Sequence, residues 1–130
     1  FLLNPASDIN YSFVSGPDKH EFNAIVKPLL GQKNLYIFAS KSLATDETLS
    51  CLKWLGKNRT EKNSIVITAN SEGARALGFS EASIIPFPES VGGRYSIWSP
   101  ISLTAGIENN FMSFLQGGGI ADSLLSVHST

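Results

Sequence analysis

The chain has 130 residues, a formal net charge of −1, 42% hydrophobic and 16% charged residues, which fits one globular domain that buries a core without staples. A single cysteine excludes an internal disulfide framework, and two distant histidines, His20 and His128, make no metal constellation. No apolar run reaches membrane-spanning length, and Phe1-Leu2-Leu3 is too short for a signal peptide, so no membrane partner and a cytoplasmic location are expected.

The first residues to Asn10 read as extended and turn-rich, Tyr11 to Val14 as a short strand, and Ser15-Gly16-Pro17-Asp18 as its turn. Phe22, Ile25, Val26, Leu29 and Leu30 recur at helical spacing, with Gly31 as the C-terminal cap. Leu35 to Phe38 is a short, continuous apolar run, hence a buried strand. From Thr45 an amphipathic helix carries Leu49, Leu52 and Leu55 on one stripe, widened by Cys51 and Trp54. Lys53, Lys57, Arg59 and Lys62 cluster at and beyond its end, where cations suit the helix dipole, so nucleic acid is not expected as a partner. Ser64 to Ala69 reads as a second buried strand, Ser71 to Leu77 as a short helix capped by Ser71 and stopped by Gly78, and Ala82 to Phe87 as a further strand. A loop from Pro88 to Arg94 leads to a helix expected from Ser96, with Ile97, Trp98, Ile101, Thr104 and Ala105 on one face. Phe111, Phe114 and Leu115 begin a last helical region, expected to break at Gly117-Gly118-Gly119 and resume through Leu124-Leu125.

Strands alternating with helices imply an α/β fold: a parallel sheet with right-handed crossovers, covered on both faces, whose ligands sit beyond the carboxyl ends of the strands. The turn after Phe38 sets Ser40, Lys41, Ser42 and Thr45 beside the amides of a helix start. Those amides and the dipole favour an anion, with phosphate the obvious candidate. Plain N-capping by Ser42 or Thr45 accounts for the same residues, and the glycines of a P-loop are missing before Lys41-Ser42. The loop after Phe87 leaves the same edge, bringing Val91-Gly92-Gly93-Arg94 within reach of one ligand. There the glycines permit close backbone approach, although a tight turn and a surface arginine would read the same way.

Two stretches together resemble the glucose-6-phosphate isomerase family. Ala39-Ser40-Lys41-Ser42-Leu43-Ala44-Thr45-Asp46-Glu47-Thr48 is similar to the family's Ala-Ser-Lys-Thr-Phe-Thr-Thr-x-Glu-Thr, and Val91-Gly92-Gly93-Arg94-Tyr95-Ser96 matches its Val-Gly-Gly-Arg-[Tyr/Phe]-Ser signature. Phe13-Val14-Ser15 with Asp18 resembles the segment that precedes them, so the likeness covers Tyr11 to Asp122. It implies part of the first sugar-isomerase (SIS) domain, a flavodoxin-like three-layer sandwich. By that resemblance, residues 1–130 form a single domain fragment lacking the domain's first strand and its glycine-rich phosphate loop. It also implies that Ser40, Lys41, Ser42 and Thr45 hold the phosphate of glucose 6-phosphate or fructose 6-phosphate. Gly93 would approach the sugar through its backbone, and Arg94 would stabilise the oxygen of a cis-enediol(ate) during aldose–ketose isomerisation, without cofactor or metal.

Ser42 keeps the hydroxyl of the family's threonine, Leu43 and Ala44 change packing, and Pro86-Phe87-Pro88-Glu89-Ser90 departs from the usual Asp-Trp before the glycines. The family's catalytic glutamate, ring-opening histidine and late lysine have no counterparts here; Glu47 reads as a helix-start residue, His20 as a first-turn residue and His128 as a surface group. The chain begins with Phe, so a piece of a longer enzyme is expected, inactive alone, with the full-length protein a homodimer and the fragment prone to self-association through Phe111 and Phe114. A non-catalytic phosphosugar-binding module on the same domain and a purely structural α/β unit are the alternatives.

Overall fold

Why each helix starts where it does is visible in the computed structural model, which describes residues 9–92, 96, 98–102 and 111–127. The Asp18 carboxylate accepts from the backbone N–H groups of His20, at 2.7 Å, and Glu21, and opens α1 (Lys19–Val26). α1 buries Phe22 and Val26. Pro28, which cannot donate to a helical ladder, converts the expected continuation into a 3₁₀ turn over Lys27–Leu29, and Gly31 takes a φ of 84° in the reversal that follows.

Three strands, β1 (Tyr36–Ala39), β2 (Ser64–Thr68) and β3 (Ile84–Pro86), form one parallel sheet in sequence order. In register, Tyr36 pairs Ser64, Phe38 pairs Val66 and Val66 pairs Ile84. α2 (Asp46–Leu55) connects β1 to β2, and α3 (Ser71–Ala76) connects β2 to β3. The protein is therefore α/β with parallel strands, as its element pattern implies.

Two apolar clusters hold it together. Phe38, Val66 and Ile84 share one sheet face and pack with Leu43, Leu52, Ala74, Leu77 and Phe79. Phe22 and Val26 of α1 close on Leu55, Trp54 and Cys51 of α2 and on Tyr36, with the Phe22 and Trp54 rings edge-on at 5.4 Å. The other sheet face carries Ile37, Ile65, Ile67 and Ile85, of which Ile67 is fully buried. Arg59 of the basic cluster lies 4.4 Å over the Phe79 ring and donates to the Leu77 carbonyl at 2.7 Å, so it works as a packing residue.

Some expectations fail. Tyr11 to Val14 does not form a strand, and Phe13 is exposed; residue preference over four positions does not by itself make a ladder. β1 starts at Tyr36, with Leu35 exposed, and β2 and β3 are shorter than expected. Asn70, not Ser71, caps α3. In place of an α-helix from Ser96, the described residues show 3₁₀ geometry at Ser96 and Trp98 and a 3₁₀ turn over Pro100–Ser102 that Pro100, lacking an N–H to donate to the preceding turn, opens; Ile97, Thr104 and Ala105 lie outside the described residues.

The residues group into two compact units, one spanning Tyr11–Ile101 and the other combining Phe1–Asn10 with Ser102–Thr130. Within the second, α4 (Phe111–Val127) runs 17 residues without a break through the three glycines. None of these glycines has a positive φ, and the Ser123 hydroxyl donates back to the Gly119 carbonyl at 2.6 Å. Glycine weakens a helix by raising its ordering entropy but is not barred from helical geometry, and here it does not end one.

Candidate functional site

The carboxyl edge of the sheet gathers three chain exits. Ser40 N–H donates to the Ile67 carbonyl and Phe87 N–H to the Thr68 carbonyl, each at 3.1 Å, so the connections after β1 and β3 leave beside the end of β2. The β1–α2 connection is the more elaborate. Leu43 has a φ of 54°, a left-handed backbone that a branched side chain adopts at some expense, and its side chain is buried in the first apolar cluster. That single inserted leucine turns the loop inward at one point and leaves its polar residues outside. Lys41, Ser42 and Thr45 are exposed, and Ser40 is half-buried.

The hydroxyls serve their own loop first. Ser40 Oγ accepts from Leu43 N–H and Ser42 Oγ from Ala44 N–H, each at 3.2 Å. A hydroxyl that accepts still has its proton to donate, so each can face an anion as well. Thr45 stands at the N-cap of α2 but bonds no backbone amide there; its hydroxyl pairs with that of Thr48 at 2.9 Å. The capping expected of Ser42 or Thr45 is therefore absent at α2, whose first turn also carries the exposed carboxylates Asp46 and Glu47. Lys41 lies four residues before the N-cap Thr45, a flexible point charge leading into the positive end of a helix.

A second layer behind the loop escaped the reading of local pattern. The Lys41 carbonyl accepts from Ala69 N–H at 3.1 Å and from the Thr68 hydroxyl at 3.0 Å. The Ser42 carbonyl accepts from Asn70 Nδ2 at 2.9 Å, while Asn70 Oδ1 accepts from Gly73 N–H at 2.8 Å. Thr68 is wholly buried and also accepts from Asn70 N–H at 3.0 Å.

On the β3 side, Val91 N–H closes a turn on the Pro88 carbonyl at 3.1 Å, and Gly92 is exposed. Gly93 and Arg94 lie outside the described residues. Among the described residues, no group of three His, Cys, Asp or Glu side chains could hold a metal ion, and no helix is long and apolar enough to cross a membrane. The one cysteine, Cys51, is half-buried in α2, and burial pushes its thiol up from the ordinary range, away from thiolate chemistry.

The fold is that of a parallel α/β protein, a class whose ligands generally sit at the carboxyl edge of the sheet, and here that edge presents a lysine, three hydroxyls and a helix start. Comparison with known proteins narrows the class. The phosphoglucose isomerase family matches residues 2–129, and the chain belongs to that family. It is 34% identical over 131 residues to the glucose-6-phosphate isomerase of Zymomonas mobilis, covering 93% of this chain and 26% of that protein. Identity is 36% over 132 residues to the glucose-6-phosphate isomerase of Rhizorhabdus wittichii, with 93% and 26% covered. For glucose-6-phosphate isomerase 1 of Colwellia psychrerythraea it is 32% over 115 residues, with 82% and 21% covered. The chain thus spans about a quarter of the length of the curated relatives it matches.

Proposed function

We propose that this chain supplies the phosphate-holding part of a glucose-6-phosphate isomerase SIS domain. The observation that carries the reading is the β1–α2 connection, which sets exposed Lys41, Ser42 and Thr45, with Ser40 beside them, at a helix start that no side chain caps. The phosphate of glucose 6-phosphate or fructose 6-phosphate accepts there from hydroxyls, amides and ammonium together. Gly93 meets the sugar through its backbone, and Arg94 offsets the negative oxygen that develops when a proton moves between C2 and C1 through the cis-enediol(ate). Both carbons stay in the sugar and no electrons leave it, so the isomerisation consumes no cofactor. The reaction is a cytoplasmic step shared by glycolysis and gluconeogenesis.

The chain aligns with only a quarter of each relative, and neither Glu47 nor His20 stands in the context of the family's proton-moving glutamate and ring-opening histidine. The 130-residue chain alone therefore binds phosphosugar without turning it over. Met112, Leu115, Ile120 and Leu124 are exposed on α4, which favours self-association of isolated chains.

Titration calorimetry with fructose 6-phosphate, with fructose as the unphosphorylated control, tests the site. Lys41→Ala should weaken binding of the phosphorylated sugar about 10- to 100-fold, the scale of a charge-assisted hydrogen bond, and leave fructose unaffected. Equal heats for both sugars, or for both proteins, would refute it. A coupled isomerase assay separates catalysis from binding: turnover by this chain alone would overturn the claim of inactivity.

A further inference from the structure

Resting on the phosphate-site reading above, we infer that Asn70, backed by Thr68, is the positioning residue that keeps the Ser40–Thr45 loop open to an anion. The peptide bonds of this chain are trans among the described residues, so each N–H points opposite to the preceding carbonyl. Both carbonyls at the head of the loop are tied backwards. That of Lys41 is held by the Thr68 hydroxyl and Ala69 N–H, and that of Ser42 by Asn70 Nδ2 at 2.9 Å. The amides of Ser42 and Leu43 are thereby turned away from the β2–α3 connection, and Leu43 N–H meets Ser40 Oγ. Were either peptide to flip, a carbonyl dipole would face the phosphate with its negative end, and the loop would repel what it now accepts.

Asn70 does this while also capping α3. Its amide is split between the two tasks, with Oδ1 on Gly73 N–H and Nδ2 on Ser42. Gly73 makes room for it: a Cβ there would sit 2.5 Å from Asn70 Nδ2 and 2.8 Å from its Cγ. Because the obstructed group is the end of a side chain, a methyl at this position displaces the amide and not the helix. Thr68, wholly buried, touches no ligand itself and acts only by holding Lys41 and the Asn70 backbone.

Two substitutions test the tie: one keeps the cap, and the other disturbs cap and tie together without changing Asn70 itself. Asn70→Ser keeps an acceptor for Gly73 N–H but is too short to reach the Ser42 carbonyl. Gly73→Ala leaves Asn70 in the sequence, raises helix propensity and pushes its amide off Ser42. Calorimetry with fructose 6-phosphate on the 130-residue chain should give a Kd about five- to tenfold weaker for both, the loss expected of one hydrogen bond, with little change in melting temperature for Asn70→Ser. The backbone 15N–1H resonances of Ser42 and Leu43 should shift in both variants before any ligand is added, a signature that a pure cap would not produce. If the wild type binds and Lys41→Ala weakens it, but both variants keep wild-type affinity, the positioning role is wrong and the site reading stands. If the wild type and Lys41→Ala alike ignore fructose 6-phosphate, both readings fall together. Should Asn70→Ser not fold, Gly73→Ala decides alone.

Discussion

The starts of α1 and α2 solve the same problem in opposite ways. At α1 the Asp18 carboxylate takes two backbone amides and leaves that end electrically satisfied. At α2, Thr45 occupies the capping position but spends its hydroxyl on Thr48, and the turn is set instead by Leu43, which reaches the core from a left-handed backbone. One end is held by a local polar bond, the other by distant apolar packing and by ties to β2. The difference teaches that a helix start can be fixed in space without its amides being used up, which is what a site for an anion needs.

The comparison breaks most severely at Leu43. Leu43→Ala removes a buried side chain from the first apolar cluster, keeps the left-handed strain, and should cost about 3 kcal/mol in urea unfolding. Fructose 6-phosphate binding should weaken in the same variant, because the loop loses its anchor. A change within experimental error would show that α2 is not positioned by this leucine.

The polar side of the comparison is smaller. Asp18→Ala should lower stability by about 1 kcal/mol, the usual worth of a cap with two acceptor bonds. Thr45→Ala should change it by less than about 0.5 kcal/mol, since no amide depends on that hydroxyl. Thr45→Asp sharpens the contrast further. It installs at α2 the cap that α1 already has, so it should stabilise the ligand-free chain slightly while weakening phosphosugar binding through competition and repulsion. Paired thermal melts and calorimetry read both directions at once.

Much of this was legible in the sequence because it is local. Tyr36-Ile37-Phe38 and Ile65-Val66-Ile67 read as buried strands since a parallel sheet enclosed on both sides needs continuous apolar runs. The stripe of α1 was visible too, though Pro28 cut it short. What failed was inference from residue preference alone. Tyr11 to Val14 has the alternation of a strand but does not form one, and Gly117 to Gly119 lowers helix propensity without ending α4. At the site, Ser40 to Thr45 stood out by composition, whereas Asn70 did not. Its bond to Ser42 spans 28 positions, and an Asn after a strand predicts only a helix cap.

The smallest effect concerns charge as a third way to hold a helix. At the end of α3 opposite its Asn70 cap, Arg75 and Glu81 form an exposed ion pair that bridges the helix and the turn leading to β3. The hydrogen bond from Arg75 and its charge hold the Glu81 carboxyl below the usual glutamate range, while Glu81 pushes the Arg75 guanidinium up by the same bond. A carboxyl whose pKa is lower folded than unfolded adds stability that is complete above its unfolded value and disappears as pH falls through the folded one. Glu81→Gln should therefore reduce stability slightly at neutral pH and not at all in acid below the glutamate range. Salt should erase even the neutral-pH difference, because both partners face solvent and are screened. A variant that stays weaker than wild type in both acid and high salt would mean that Glu81 acts by packing, not by charge. The α3 end would then join Leu43, not Asp18, in how this fold secures its helices.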